Sequence, residues 1–92
     1  MEKQLSNTAL FATYQHRQVI LNYYQDEDIL YKRDGFHFLT IQVTDSALAF
    51  LMKDGTFTTI DLTEYPLVFM NADFQNYYIL RNNLEKLEIY FP

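Results

Sequence analysis

The fold is decided by residues 29–62, which read ILYKRDGFHFLTIQVTDSALAFLMKDGTFTTIDL. This stretch contains both glycines of the chain, and each one follows an aspartate, at Asp34-Gly35 and at Asp54-Gly55. Each pair lies between apolar and aromatic runs, which is typical of β-hairpins. A type I′ turn needs positive φ at both central residues, and glycine adopts that backbone freely while aspartate tolerates it. We therefore expect two successive hairpins, 29–32 with 36–43 and 47–52 with 56–62.

The remainder of the chain also favours short strands. Runs 67–70 and 77–81 are apolar, and they are separated from their neighbours by proline and asparagine, which are turn residues. In the last run, Leu87, Ile89 and Phe91 alternate with polar or amphipathic residues, which predicts one buried face. The sequence thus predicts a mainly β fold, an antiparallel meander closed into a small barrel or a two-layer sandwich.

The N-terminal third leaves two interpretations open. Residues 1–8 are a polar lead-in to a single domain that spans residues 1–92. Residues 9–14 and 18–24 favour strands by β-propensity. However, Leu10, Tyr14, Leu21 and Tyr24 lie close to helical spacing, so one short N-terminal helix is the alternative. The acidic residues Asp26-Glu27-Asp28 read as a turn.

Residues 38–62 have a distinct order of elements: an apolar strand, a Thr-Asp-Ser turn, an apolar strand, an Asp-Gly turn and a threonine-rich strand. In this order the segment resembles bacterial pleckstrin-homology-like and Sm-like small barrels. The resemblance covers about a quarter of the chain and rests on generic hairpin chemistry. It implies these folds as candidates and transfers no site residue.

Composition limits what can hold the domain together. The 92 residues include no cysteine, which excludes disulfides and thiolate metal sites, while 49% are hydrophobic and 17% aromatic. Each buried aromatic side chain removes about 150–250 Å² from water. We therefore expect apolar burial alone to stabilise the fold.

The charge argues against several classes of partner. The formal net charge is −5, with only seven lysines and arginines. This balance disfavours a nucleic-acid backbone as the partner, because such binding depends on clustered cations. The same balance disfavours anionic membrane surfaces. No secretory h-region or membrane-length apolar run is present, which predicts a cytoplasmic protein.

No motif predicts catalysis, a metal or a cofactor. His16 and His37 lack any metal-ligand spacing, and Ser6 and Ser46 lie outside any nucleophile motif. Two glycines reserved for turns cannot build a phosphate-binding loop. We therefore expect a non-enzyme without a cofactor.

The tyrosines are the remaining candidates for function. In a strand, one member of each adjacent pair, Tyr23-Tyr24 and Tyr77-Tyr78, must face away from the core. Four tyrosines of the chain are predicted to form an exposed binding face, namely Tyr23, Tyr31, Tyr77 and Tyr90. Tyrosine offers a large contact area at low entropic cost and is enriched at binding hot spots. The alternative is that a two-layer domain buries these rings and keeps their hydroxyls at its rim.

Three functional hypotheses follow from this sequence. The preferred one is a protein-interaction or regulatory module that uses a tyrosine-bearing sheet face, with self-association through an exposed sheet edge as a variant. The second is a single-stranded nucleic-acid binder that contacts phosphates through Arg17, Lys32, Arg33 and Arg81. The third is an acidic inhibitor that mimics nucleic acid with Asp26, Glu27, Asp28, Asp45, Asp61, Glu64 and Asp73.

Overall fold

Two antiparallel sheets make up most of the structure, a computed structural model that describes residues 2–92. In chain order the strands are β1 (Glu2–Gln4), β2 (Arg17–Gln25), β3 (Ile29–Phe38), β4 (Thr40–Val43), β5 (Ala47–Leu51), β6 (Phe57–Asp61), β7 (Leu67–Asn71), β8 (Tyr77–Arg81) and β9 (Glu85–Tyr90). The large sheet has the order β1-β7-β8-β9-β2-β3, and the small sheet has the order β4-β5-β6. The predicted mainly β fold is confirmed.

Neither sheet closes on itself, so the predicted barrel is not confirmed. Over the described residues, β1 and β3 are the edges of the large sheet, and β4 and β6 are the edges of the small one. Both sheets contribute to one hydrophobic cluster: Phe38, at the end of β3, lies 5.3 Å from Phe50 of β5 between ring centroids. The chain therefore holds two open sheets together through a shared core.

The hairpin predicted at Asp34-Gly35 is wrong. Both residues lie inside the unbroken strand β3, where Asp34 is opposite Leu21 and Gly35 is opposite Ile20. Gly35 does not have positive φ. The reversal occurs instead at residues 26–28, where Asp26 has a φ of 59°. Because β2 offers a nine-residue partner, a single long β3 satisfies more backbone hydrogen bonds than two short arms would.

A turn does lie at Asp54-Gly55, but it is not of type I′. Of the two residues only Gly55 has positive φ, at 86°. The Gly55 amide donates to the Met52 carbonyl (3.0 Å), and the Met52 amide donates to the Thr56 carbonyl (2.8 Å). This is a three-residue loop with a left-handed glycine as its last residue. The Thr56 hydroxyl and amide also donate to Asp54 and lower the pKa of its carboxyl.

The N-terminal third departs from the strand interpretation. Ala9–Thr13 is a short 3-10 helix, so the helical alternative holds for this segment and a strand does not. Its buried Phe11 packs edge-on against Tyr78 at 4.7 Å. Residues 2–4 form a strand paired with β7, whereas the sequence suggested only a polar lead-in.

The two faces of the large sheet differ in what covers them. The inner face carries the sheet's core side chains, including Leu21, Leu80, Leu87 and Ile89, which are fully buried. The buried residues of the 3-10 helix and of the small sheet belong to the same cluster as these side chains. Both elements therefore lie on the inner side. Within the described chain the outer face, which carries the alternate side chains, is left without a covering layer.

Candidate interaction surface on the outer face of the large sheet

Strand pairing arranges the outer side chains of β8, β9 and β2 in three rows. Residues directly opposite one another in neighbouring strands point to the same face of a sheet. The aromatic row consists of Tyr77, Tyr90 and Ile20, the middle row of Ile79, Glu88 and Asn22, and the ionic row of Arg81, Lys86 and Tyr24. The alternate residues of these strands, such as Tyr78 and Ile89, are buried in the core.

The aromatic row continues into the loop between β7 and β8. The Tyr77 and Tyr90 ring centroids lie 5.9 Å apart with planes tilted by 46°, and Phe74 of the loop lies 6.1 Å from Tyr77 at 45°. Phe74 is 64% exposed. The three rings and the polar residues Asn71 and Gln75 line an open groove of about 460 Å³. That size is suitable for a side chain or a small ligand.

The middle row is the most enclosed part of the outer face. Ile79 is buried, yet it does not belong to the core cluster, because its neighbours on the outer face cover it. The side chain of Glu88 is only 12% exposed. Its carboxylate lies 3.5 Å from Asn22 Nδ2 and 3.8 Å from Lys86 Nζ. These contacts partly offset the cost of enclosing a charge.

Glu88 also changes the chemistry of two tyrosines. Burial raises the pKa of Tyr77 above its ordinary value, and the hydrogen bond that its hydroxyl donates to Glu88 raises it further. For Tyr24 the pKa is likewise raised, first by burial and then by the nearby Glu88 carboxylate. Both hydroxyls therefore stay protonated at neutral pH and act as donors toward Glu88.

Both cations of the ionic row are engaged by glutamates. Arg81 forms ion pairs with Glu2, at 2.9 Å, and with Glu27 of the turn between β2 and β3. Lys86 Nζ lies 3.6 Å from Glu27 and 4.3 Å from the centroid of the Tyr24 ring. These contacts link the long side chains of β8 and β9 to Glu2 of β1 and to Glu27 of the turn between β2 and β3.

The four tyrosines predicted to share one face lie in two pairs on opposite faces. Tyr77 and Tyr90 are on the outer face, whereas Tyr23 faces inward because it shares the alternation of the buried Leu21. Tyr31 lies at a register shift beside Tyr23, with ring centroids 6.3 Å apart, and its hydroxyl donates to Glu85 (3.4 Å). The single face formed by all four is therefore a wrong expectation.

Two aromatic residues of the outer face, Phe74 and Tyr24, are not among the four predicted tyrosines. Phe74 falls in a segment that reads as a loop, and Tyr24 was the member of its pair that was not selected. Strand alternation was the usable signal: once Leu21 is assigned to the core, Tyr24 must face outward. For Phe74 no pattern in the sequence places it beside Tyr77.

Other kinds of site find no support in the described residues. In residues 2–92 no group of three or more His, Asp or Glu side chains is placed to hold a metal ion. Within residues 2–92, no helix has the length and apolar character needed to cross a membrane. In comparisons with known proteins, no family model, no curated protein and no solved structure matches this chain.

Proposed function

We propose that this chain is a small, non-catalytic protein-interaction module that docks a protein partner on the outer face of its large sheet. The observation that carries the proposal is the coverage of the two faces: the small sheet and the 3-10 helix share the inner-face cluster. A broad sheet face bearing aromatic and apolar side chains is left over. Exposed patches of this kind mark interaction sites in soluble proteins.

The composition of the outer face fits the anatomy of a protein interface. Tyr77, Tyr90 and Phe74 supply aromatic anchors, which are enriched in interface cores. Leu67, 41% exposed and opposite Arg81, extends the apolar surface toward β7. The ion pairs of Arg81 lie beside this apolar area and resemble a polar rim. Regular strands hold most of these groups, so little ordering entropy is lost on docking.

The basic residues do not support the nucleic-acid alternative. Arg81 is engaged by two glutamates, and Arg17 donates to the Pro92 carbonyl at 3.0 Å. Lys32 lies over the inward-facing Tyr23 ring, whereas Arg33 is opposite Asn22 on the outer face. The four cations therefore do not line one groove. The hypothesis of an acidic inhibitor that mimics nucleic acid is weakened at Glu27, because Arg81 and Lys86 balance the charge of this residue.

The test is a quantitative pull-down from nuclease-treated lysate with two matched variants. Leu67→Arg places a charge on the outer face, and Phe57→Arg places the same charge at a site on β6 that is 48% exposed. We expect the partner to be retained by the wild type and by Phe57→Arg. We expect its recovery to fall at least about tenfold for Leu67→Arg, because a charge placed within the apolar surface that docking would cover must be desolvated without a partner of opposite charge.

Equal loss of the partner from both variants, or equal retention of the partner by both, would contradict docking on the outer face. Recovery that disappears on nuclease treatment would favour nucleic acid instead. Sedimentation of the purified chain identifies self-association, since a second copy bound at the same face would dissociate in Leu67→Arg.

A further inference from the structure

The groove lined by Phe74, Tyr77 and Tyr90 has the arrangement of a cation-binding site. The neighbouring centroids are separated by 6.1 and 5.9 Å, and both pairs of planes are tilted by about 45°. A cation is attracted by an aromatic face within about 6 Å of the ring centroid. At these spacings, one cation above Tyr77 also comes within reach of a neighbouring ring.

The chain's own cations show the same preference elsewhere. Four of them lie over aromatic rings, at centroid distances of 4.3 to 5.9 Å: Arg17 over Tyr14, Lys32 over Tyr23, Arg81 over Phe69 and Lys86 over Tyr24. None of these four contacts uses Phe74, Tyr77 or Tyr90. The rings of the groove therefore offer aromatic faces that these four cations leave free.

The charge around the groove is acidic. Residues 66–80, which include Phe74 and Tyr77, contain no lysine or arginine, and Asp73 directly precedes Phe74. Glu88, whose carboxylate also lies 3.8 Å from Lys86 Nζ, accepts the hydrogen bond of the Tyr77 hydroxyl. The chain as a whole carries a net charge of −5. A cationic group is therefore the complementary occupant.

We infer that this groove binds an arginine side chain of the protein partner, an inference that rests on the proposed docking of a protein on the outer face. Arginine fits better than lysine because its planar guanidinium stacks on aromatic rings and is more weakly hydrated. Its donors can also reach the side-chain oxygen atoms of Asn71 and Gln75, which line the groove.

The test is an NMR titration with two peptides that differ only in charge. Ac-Gly-Arg-Gly-NH₂ carries the guanidinium, and the same peptide with citrulline is its neutral isostere. We expect the arginine peptide to shift the ring C–H signals of Phe74, Tyr77 and Tyr90 in a saturable way, while the citrulline peptide leaves them nearly unchanged.

Variants separate a cation–aromatic contact from simple apolar contact. Phe74→Leu keeps an apolar side chain but removes the aromatic face, and the exposure of Phe74 means that folding is little affected. We expect Phe74→Leu to lower the affinity for the arginine peptide about two- to fivefold. Phe57→Leu, an exposed control on the small sheet, should leave the affinity unchanged.

The inference is overturned if citrulline binds as well as arginine, if the shifts fall outside the groove, or if Phe74→Leu binds like the wild type. These outcomes are distinguishable from failure of the proposed function. If Leu67→Arg still releases the partner, the docking face stands and only the arginine assignment is wrong. If the arginine peptide binds the groove but Leu67→Arg retains the partner, the docking face is wrong.

Discussion

At the scale of single residues, the two glycines show how the same dipeptide serves two structures. Gly55 has a φ of 86°, and a Cβ added there would meet nothing within 4 Å. Gly35 lies in β3 without positive φ, and a Cβ there would meet Val19 O at 3.9 Å and Ile20 Cγ1 at 4.0 Å, which are ordinary contacts. Only the backbone of Gly55 therefore requires glycine.

This difference predicts opposite results for the same substitution. Gly55→Ala should lower the free energy of unfolding by about 1–2 kcal/mol, because a side chain strains the left-handed backbone. Gly35→Ala should be neutral or should stabilise the strand by up to about 1 kcal/mol, because glycine weakens strand interiors. Urea unfolding of both variants measures this. A larger loss for Gly35→Ala would mean that the turn lies at Asp34-Gly35 after all.

Tyr65 makes stability depend on pH in the alkaline range. Burial, and then the nearby carboxylate of Glu85, raise the pKa of Tyr65 to about 12 from an ordinary value of 10.0. The folded state thus favours the neutral phenol, and the unfolded chain ionises first. Stability is fully present below pH 10 and falls as the pH rises toward 12.

In the matched variant Tyr65→Phe, stability should fall less steeply as the pH rises, because the tyrosine hydroxyl is absent. Urea unfolding at several pH values between about 8 and about 11 measures the slope, which is set by the difference in bound protons between the two states. An identical slope in the wild type and in Tyr65→Phe would show that Tyr65 ionises equally in both states.

At the scale of elements, the alternation of apolar and polar residues correctly predicts the buried face of a strand where the pattern within that strand is enough to define it. In the last run, Leu87, Ile89 and Phe91 are buried as predicted. The strands around Asp54-Gly55 also lie where the sequence placed them, within one residue at each end. Residues 9–13 and the segment around Gly35 differ because tertiary pairing and core packing outweigh local propensity there.

The buried face of β9 predicts a sharp contrast between two apolar residues. Ile89→Ala should cost about 2–5 kcal/mol, because its side chain is fully buried between β8 and β2. Leu84→Ala, at 71% exposure in the turn before β9, should change stability by less than about 0.5 kcal/mol. Thermal and urea melts measure both. Similar losses at the two positions would contradict the register of β9.

At the scale of the whole molecule, the outer face depends on strand order, which no local pattern reveals. Tyr77, Tyr90 and Ile20 become neighbours only because β8 pairs with β9 and β9 pairs with β2. The sequence identified Tyr77 and Tyr90 as exposed candidates. Assigning Tyr23 and Tyr31 to a face depends on which face of the large sheet the small sheet covers, and the sequence does not show this. Long-range pairing also brings Glu2 and Glu27 to Arg81.

Cross-saturation NMR on the complex with the recovered partner tests most directly whether that partner docks on the outer face of the large sheet, because it reports which side chains of this chain lie against the partner. We expect intensity losses at Phe74, Tyr77, Tyr90 and Phe69, which is opposite Ile79 on the outer face, with Phe57 unaffected. Losses concentrated on the small sheet around Phe57, with the outer-face signals unchanged, would contradict the claim.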